Sequence, residues 1–301
     1  MRITNNMIMQ SQYDAMQTNI NALSKASAVA TTGNRIQQAS DDPNASTQIM
    51  GSNTTLRALD QYKTNVQRAA SRVDTEDSVL SQMGDLITRA KELGLQQGGD
   101  TASAATRQTA NAELQQVFNQ IVQLGNTKFG DEYLFGGDQA TTQPFTASGS
   151  GATLAYTATN STGTRTTQIG AGQSMEVAHN GKQLLVDTGI LDSVKQLSAA
   201  MDQSSSTYGT TGIGDALKNL DSSFDSLQTL VGDVGARAKA LDSASENITA
   251  YKTNVTTFKS NLGEVDMETA VTELTQRQTA YQAALLSTSK VMSLSLTDYL
   301  R

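Results

Sequence analysis

The chain has no cysteine among its 301 residues, which excludes disulfide bonds, thiolate metal sites and cysteine nucleophiles. Histidine occurs once, as His179, so neither a histidine-based catalytic relay nor a multi-histidine metal site can be built. The glycine pairs Gly98-Gly99 and Gly136-Gly137 are not followed by the Lys-Ser/Thr ending of a phosphate-binding loop. We therefore expect a protein that is not an enzyme and that has no metal or cofactor site.

Material for one compact core is also scarce. The sequence contains no tryptophan, two prolines, 5% aromatic residues and 37% hydrophobic residues, a supply that suits long helices with narrow apolar seams. Its longest unbroken apolar run, residues 283–286, is far too short to span a bilayer. The first seven residues do not form the apolar stretch of a signal peptide, so a secreted form is expected to leave the cell without a cleaved signal.

Positive charge is the third scarcity. The formal net charge is −7, and lysine and arginine form no clusters. Such a chain lacks the electrostatic footprint of a nucleic-acid-binding protein and the basic amphipathic face of a membrane-surface helix. We expect neither nucleic acid nor a membrane as a partner.

Apolar residues in the N-terminal half follow coiled-coil spacing. The members of a first seam, which ends before Gly33, are Met9, Tyr13, Met16, Ile20, Leu23 and Ala30. A second helix of about 50 residues carries apolar residues at every seventh position, from Leu59 to Ile87. A second apolar series lies three positions after the first, and Glu76 is the one residue that breaks it. Gly94, Gly98, Gly99 and Asp100 are expected to break that helix, and residues 110–124 to form a third helix that returns antiparallel to it.

Two polar motifs have structural interpretations. Asp41 and Asp42 could in principle supply acid–base chemistry or a metal site. Adjacent side chains at a helix start point apart, however, and capping explains Asp42 without a substrate, with Pro43 in the first turn. His179 precedes Asn180-Gly181, a hairpin-turn signal, and is most simply a turn residue.

The centre of the chain changes character. Residues 138–186 are rich in threonine, serine and glycine, and alternation predicts strands near 153–157 and 175–177. A short helix is expected to follow, with Leu191, Val194, Leu197 and Met201 on one face. Heptads then return over residues 217–262, and the last segment, residues 268–300, carries the widest apolar stripe of the chain.

These patterns predict a mainly α fold: an elongated antiparallel coiled-coil or helical-bundle core, formed by the N- and C-terminal segments, with a small β-containing inserted domain. We assign terminal helices to residues 1–38 and 266–301, a helical rod domain to 39–137 and 211–265, and the insert to 138–210. We expect the heptads of residues 45–262 to be satisfied within the molecule. The terminal helices carry more apolar surface than their pairing can cover, which indicates a partner interface.

Motifs at both ends, in order, resemble the bacterial flagellin family, which comprises flagellins and hook-associated proteins. They are Met1-Arg2-Ile3-Thr4-Asn5, Thr32-Gly33-Asn34-Arg35-Ile36, Ser40-Asp41-Asp42-Pro43-Asn44-Ala45, and the segments 262–266 and 293–300. Pro43, where flagellins typically carry alanine, and residues 132–137 followed by Pro144-Phe145 resemble the subunits that join hook and filament more than flagellin. The likeness covers residues 1–137 and 210–301.

The resemblance implies a structural subunit of the flagellum at the junction of hook and filament, whose terminal segments are disordered in the free chain and fold as coiled coils on assembly. Implied partners are neighbouring hook-associated protein 1 and flagellin subunits, further copies in a ring, and an export chaperone that holds the C-terminal helix. It also implies type III export to an extracellular flagellum. The residues that fit this assembly and chaperone surface by position are Met16, Ile20, Leu23, Leu285, Leu286, Val291, Met292, Leu294 and Leu296.

Two alternatives remain open. Within the family, the chain could be a flagellin filament subunit, although Pro43 and the ending Tyr299-Leu300-Arg301 argue against it. In a different class, it could be a secreted helical binding or adhesin module, against which the missing membrane span and signal peptide count.

Overall fold

The computed structural model describes residues 5–99, 102–159 and 162–299, apart from the side chains of residues 5, 6, 8 and 291–299. Within these ranges the α-helices are α1 (Asn5–Thr32), α2 (Pro43–Gln97), α3 (Ala104–Gly125), α4 (Ile190–Met201), α5 (Thr210–Gly263) and α6 (Met267–Tyr299). Each of them lacks an apolar stretch long enough to cross a membrane.

Short β-hairpins lie between α3 and α4. The strands are β1 (Lys128–Phe129), β2 (Glu132–Tyr133), β3 (Phe145–Ser148), β4 (Ala155–Ala158), β5 (Thr166–Gly170) and β6 (Gln173–Glu176), paired antiparallel as β1–β2, β3–β4 and β5–β6. The predicted mainly α fold with a small β-containing insert is therefore confirmed. The domain boundaries assigned from the sequence stay predictions.

The chain forms two compact units: a terminal unit, residues 1–58 and 250–301, and a central unit, residues 59–249. The central unit contains the hydrophobic core, which α2, α3, α4 and α5 build with side chains from the insert. The heptad residues that α2 buries are Leu59, Val66, Val73, Leu80 and Ile87, and those that α5 buries are Leu220, Leu227, Val234, Leu241 and Ile248. Full burial stabilises such a side chain by about 1.5–3 kcal/mol, so these two heptad rows hold the central unit together.

Within the central unit, α2 and α5 run antiparallel, as contacts along the pair show. Lys91 forms an ion pair with Asp221, and Gly94 lies beside Leu217. The helix ends at Gln97, immediately before Gly98-Gly99 as predicted, but the expectation that Gly94 already breaks it is wrong. A Cβ on Gly94 would lie 2.7 Å from Leu217 Cδ2, so the glycine allows a close approach of the two helices.

The third helix returns along α2 as predicted. The guanidinium of Arg89 lies 2.6 Å from Glu113 on α3, and Arg107 Nε donates to the Gln97 carbonyl at 3.3 Å. The insert docks onto this pair through Phe145, which is fully buried. A Cβ on Gly125 would come within 2.7 Å of Leu185, so the C-terminal end of α3 has no room for a side chain.

The interpretation of His179 as a turn residue is wrong. Asn180-Gly181 leads into a π-helical turn, Lys182–Val186, and the His179 side chain is 4% exposed. Its Nδ1 lies 2.7 Å from Glu76 Oε1 on α2, and its Nε2 lies 3.0 Å from Asp233 Oδ2 on α5. The interruption of the α2 heptads at Glu76 is thus the position where a buried carboxylate meets the one histidine of the sequence.

Candidate assembly surface

The terminal unit is built on two helices that pack against each other, α1 and α6. The end of α1 meets the start of α6, so the helices run antiparallel. Here Arg35 N–H donates to the Gly263 carbonyl at 2.7 Å, and Val265 N–H donates to the Gly33 carbonyl at 2.9 Å. Gly33 has φ +71°, a left-handed conformation that favours glycine and allows the chain to turn immediately after α1.

Asp41 fixes the connection between α1 and α2. One of its oxygens lies 2.7 Å from Lys25 Nζ on α1, and the other accepts from the Gln37 and Gln38 N–H groups at 3.0 Å. The hydrogen bond from Lys25, followed by those two backbone bonds, lowers the pKa of Asp41 from 3.8 to about 2. The carboxylate is therefore held charged as a structural acceptor.

Asp42 has the capping role that the sequence predicts. Its Oδ1 accepts from Ala45 N–H at 3.0 Å at the start of α2, and its Oδ2 lies 3.5 Å from Arg35. Arg35 also donates to the Leu262 carbonyl at 2.9 Å, which ties the α1–α2 connection to the end of α5. Among the residues described, no group of histidine, aspartate and glutamate side chains is arranged to hold a metal ion.

Hydrophobic burial in the terminal unit is slight. Of its described hydrophobic side chains, the fully buried ones are three alanines, Ala26, Ala45 and Ala270. The central unit, by contrast, buries leucine, isoleucine and valine side chains on each of its helices, and buried methionine or phenylalanine side chains add to them on α2, α3 and α4. Because stabilisation follows the apolar area removed from water, the terminal unit is held far more weakly by its own packing.

Large hydrophobic side chains of the terminal unit remain in water instead. Those that the structure leaves exposed are Met7, Met9, Tyr13, Met50, Tyr251, Phe258, Met267, Val271, Leu285 and Leu286. In the described part of the central unit, Leu95 is the comparable case, with 67% of its surface exposed. Exposed apolar side chains concentrated in one unit mark an interaction surface rather than the scattered exposure of an ordinary monomer.

A groove on α6 forms part of this exposed surface. An open groove runs along the helix between Val271 and Ala283 and is lined mainly by small side chains, including Thr272, Thr275 and Thr279. These side chains project little from the helix. A neighbouring helix can therefore approach α6 closely along this line.

The predicted interface residues differ in how far the structure exposes their side chains. Met16, Ile20 and Leu23 are half-buried on α1, whereas Leu285 and Leu286 are 38% and 71% exposed. The side chains of Val291, Met292, Leu294 and Leu296 lie outside the described residues. Participation of all nine in an interface stays a prediction.

Sequence reasoning missed part of the surface. Tyr251 and Phe258 were expected to be satisfied within the molecule, as part of the heptads of residues 45–262, but they are 53% and 49% exposed. That expectation is wrong at this end of α5. Met50, on the adjoining part of α2, is 65% exposed and stood outside every heptad assignment. The sequence feature that could have indicated the exposure of Tyr251 and Phe258 is their short distance along the chain from the terminal helices, where few side chains are buried.

Comparison with known proteins assigns this architecture to a family. Residues 3–140 match the bacterial flagellin N-terminal helical region, and residues 217–300 match the bacterial flagellin C-terminal helical region. Flagellar hook-associated protein 3 of Salmonella typhimurium is 28% identical over 185 residues, which cover 61% of this chain and 56% of that protein. Flagellar hook-associated protein 3 of Escherichia coli is 24% identical over 299 residues, covering 88% of this chain and 89% of that protein.

A solved structure shares the fold. The putative flagellar hook-associated protein from Vibrio parahaemolyticus superimposes with a TM-score of 0.66 at 17% identity, over 74% of this chain and 100% of that one. At this identity the likeness concerns the fold. The two helical regions together span most of the chain, and they confirm the resemblance seen in the terminal motifs. The chain belongs to the bacterial flagellin family, as a relative of its hook-associated protein 3 subunits.

Proposed function

We propose that the chain is a structural subunit of the bacterial flagellum that joins the hook to the filament. The observation that carries the proposal is the contrast between a well-packed central unit and a terminal unit that buries alanines while exposing methionine, tyrosine and leucine side chains. A subunit that must pack its ends against neighbours requires this distribution. The relatives that are hook-associated proteins support the same role.

Assembly completes the packing of α1 and α6. Neighbouring hook-associated protein 1, flagellin subunits and further copies in a ring supply apolar side chains that cover Tyr13, Val271 and their neighbours. Since α1 and α6 bury little surface within the chain, their order is weakly held in the free subunit and becomes complete on association. The free energy released by the new burial offsets the cost of ordering.

Before assembly, the exposed apolar side chains in the C-terminal part of α6 must be shielded from water by a binding partner. Leu285 and Leu286 are exposed there, and the sequence continues with four further apolar residues between 291 and 296. An export chaperone that binds this stripe would keep the subunit soluble. The chain would then leave through the type III export channel and act outside the cell; the absence of disulfides is compatible with passage as an unfolded chain.

Deletion of the gene in the source bacterium tests the junction role. Electron microscopy of the deletion strain is expected to show hooks without filaments, with flagellin monomers in the medium, and a plasmid copy should restore filaments. Normal filaments in the deletion strain would refute the role. Immunogold labelling of the restored strain separates the alternative: a junction subunit is labelled at the hook end, whereas a filament subunit is labelled along the whole filament.

A further inference from the structure

The methionines of the chain are divided by exposure. The described ones that are about half or more exposed, Met7, Met9, Met50 and Met267, all lie in the terminal unit, with exposed fractions of 64%, 49%, 65% and 48%. In the central unit, Met83 is 0% and Met201 is 1% exposed, and Met175 packs against the core. The methionine sulfur atoms that dissolved reagents can reach are therefore concentrated in the terminal unit, whose exposed hydrophobic side chains form the candidate assembly surface.

Exposure decides how a thioether meets an oxidant. A hydroperoxide transfers one oxygen atom to the methionine sulfur as its O–O bond breaks; the sulfur is oxidised to a sulfoxide and hydrogen peroxide is reduced to water. The product side chain is polar where the methionine was apolar. A buried sulfur reacts only when the surrounding structure opens, which in the central unit requires disruption of a packed core.

Two of the exposed methionines lie where a sulfoxide would matter most. Met9 is one heptad before the half-buried Met16 and two before Leu23 on the α1 seam. Met267 opens α6, and its sulfur lies over Gly33 at the turn after α1, 3.9 Å from where a Cβ on that glycine would stand. A polar S–O group at Met9 would face the apolar neighbours that α1 needs, and one at Met267 would disturb the joint between α1 and α6.

We propose that the exposed methionines of the terminal unit are an oxidant-sensitive modification site, at which conversion to the sulfoxide by hydroperoxides prevents the free subunit from assembling. The inference rests on the proposed assembly function. It adds that oxidation before assembly is what inactivates the subunit, because the same side chains are covered once neighbouring subunits are in place. Reduction of the sulfoxides by a dithiol, which is oxidised to a disulfide while the oxygen leaves as water, restores the apolar surface.

Peptide mapping of the free chain tests the site itself. After brief exposure of the folded full-length chain to hydrogen peroxide, mass spectrometry should find Met7, Met9, Met50 and Met267 oxidised at least about tenfold faster than Met83 and Met201. Equal rates at the exposed and buried methionines would overturn the proposal. This readout does not depend on any assembly role.

Filament regrowth tests the consequence. Hooks isolated from the deletion strain are incubated with the purified chain and then with flagellin, and the fraction of hooks that bear filaments is counted. Peroxide treatment should lower the ability of the chain to support filament growth at least about tenfold, because burial of one methionine side chain at an interface raises the affinity about tenfold or more. Methionine sulfoxide reductase should restore it.

A combined M7L/M9L/M50L/M267L variant identifies the sites responsible. Whatever its own level of activity, that variant should be equally active before and after peroxide, while an M83L/M201L variant should stay as sensitive as the wild type. If the oxidised wild type still nucleates filaments, or if the fourfold variant loses activity with peroxide, the proposal is wrong although the junction role stands. If the untreated chain nucleates no filaments, the proposed function itself fails.

Discussion

A substitution of Leu286 by aspartate separates assembly from folding. Leu286 is 71% exposed on α6, so its side chain contributes little to the stability of the free chain. Leu95, on α2 of the central unit, is 67% exposed and provides a matched control. Both substitutions place aspartate, a weaker helix former than leucine, at an exposed helical position. Each should therefore lower the free energy of unfolding by about 0.5–1 kcal/mol.

The two variants should differ strongly in assembly. If a neighbouring subunit covers Leu286, the wild type gains about 1–2 kcal/mol from burial of the remaining exposed part of the side chain. Aspartate forfeits this gain and leaves a charge at an apolar contact, so the total loss should reach at least about 3 kcal/mol, roughly a hundredfold in the assembly equilibrium. Leu95→Asp should leave assembly within about threefold of the wild type.

Filament regrowth on isolated hooks measures the difference, and thermal unfolding followed by circular dichroism checks that both variants keep the central unit folded. If Leu286→Asp nucleates filaments as well as Leu95→Asp does, α6 is not covered by neighbours at this position. If both variants lose activity equally, exposure rather than location in the terminal unit would determine the effect, and the distinction between the two units would lose its functional meaning.

Three further predictions concern stability. Because the pKa of Asp41 is lowered, its contribution to the stability of the terminal unit is fully present above pH 3.8 and is lost as the pH falls through about 2. The wild type and Asp41→Asn should therefore differ in amide exchange of the terminal unit above this range, and the difference should vanish as the pH falls through it. His179→Ala removes the imidazole from Glu76 and leaves only the backbone N–H of residue 179 as a donor to Glu76 Oε1, so it should lower the free energy of unfolding by about 1–3 kcal/mol in urea titration. Unchanged stability would mean that the imidazole–carboxylate contact contributes nothing. Gly235→Ala, at a helical position with open space around it, should raise the stability by about 0.5–1 kcal/mol, while Gly94→Ala should lower it through the clash with its neighbouring helix; a reversed order of melting temperatures would contradict the geometry.

Local periodicity made most of the fold predictable. Heptad spacing identified the buried residues of α2 and α5, from Leu59 to Ile87 and from Leu220 to Ile248, because a residue every seven positions returns to the same helix face. The cap at Asp42 and the turn at Gly33 were predictable for the same reason: both depend on backbone groups only a few residues away.

Contacts between distant parts of the sequence were not predictable. Glu76 and His179 are 103 residues apart, and either one alone reads as a surface residue. Gly94 reads as a helix breaker until Leu217 is seen beside it, since only the packed pair of helices shows why a side chain has no room. These features are set by the tertiary structure, which single-residue preferences do not encode.

The candidate surface was predictable in part. The wide apolar stripe of the last helix pointed to Leu285 and Leu286, and the structure leaves both exposed. Tyr251 and Phe258 continue the alternating three- and four-residue spacing of α5, and this spacing alone does not separate them from the buried residues before them. They differ because the core of the central unit ends near Ile248, and a spacing pattern does not record where the partner helix stops supplying buried contacts.

The central claim is that the exposed hydrophobic side chains of the terminal unit become buried by neighbouring subunits. Hydroxyl-radical footprinting of an isotope-labelled chain, free and after incorporation between hook and filament, measures this directly. Tyr13, Val271 and Leu286 should lose most of their reactivity on incorporation, whereas Leu95 should keep its own. Equal reactivity of the terminal side chains in the free and incorporated chain would contradict the account.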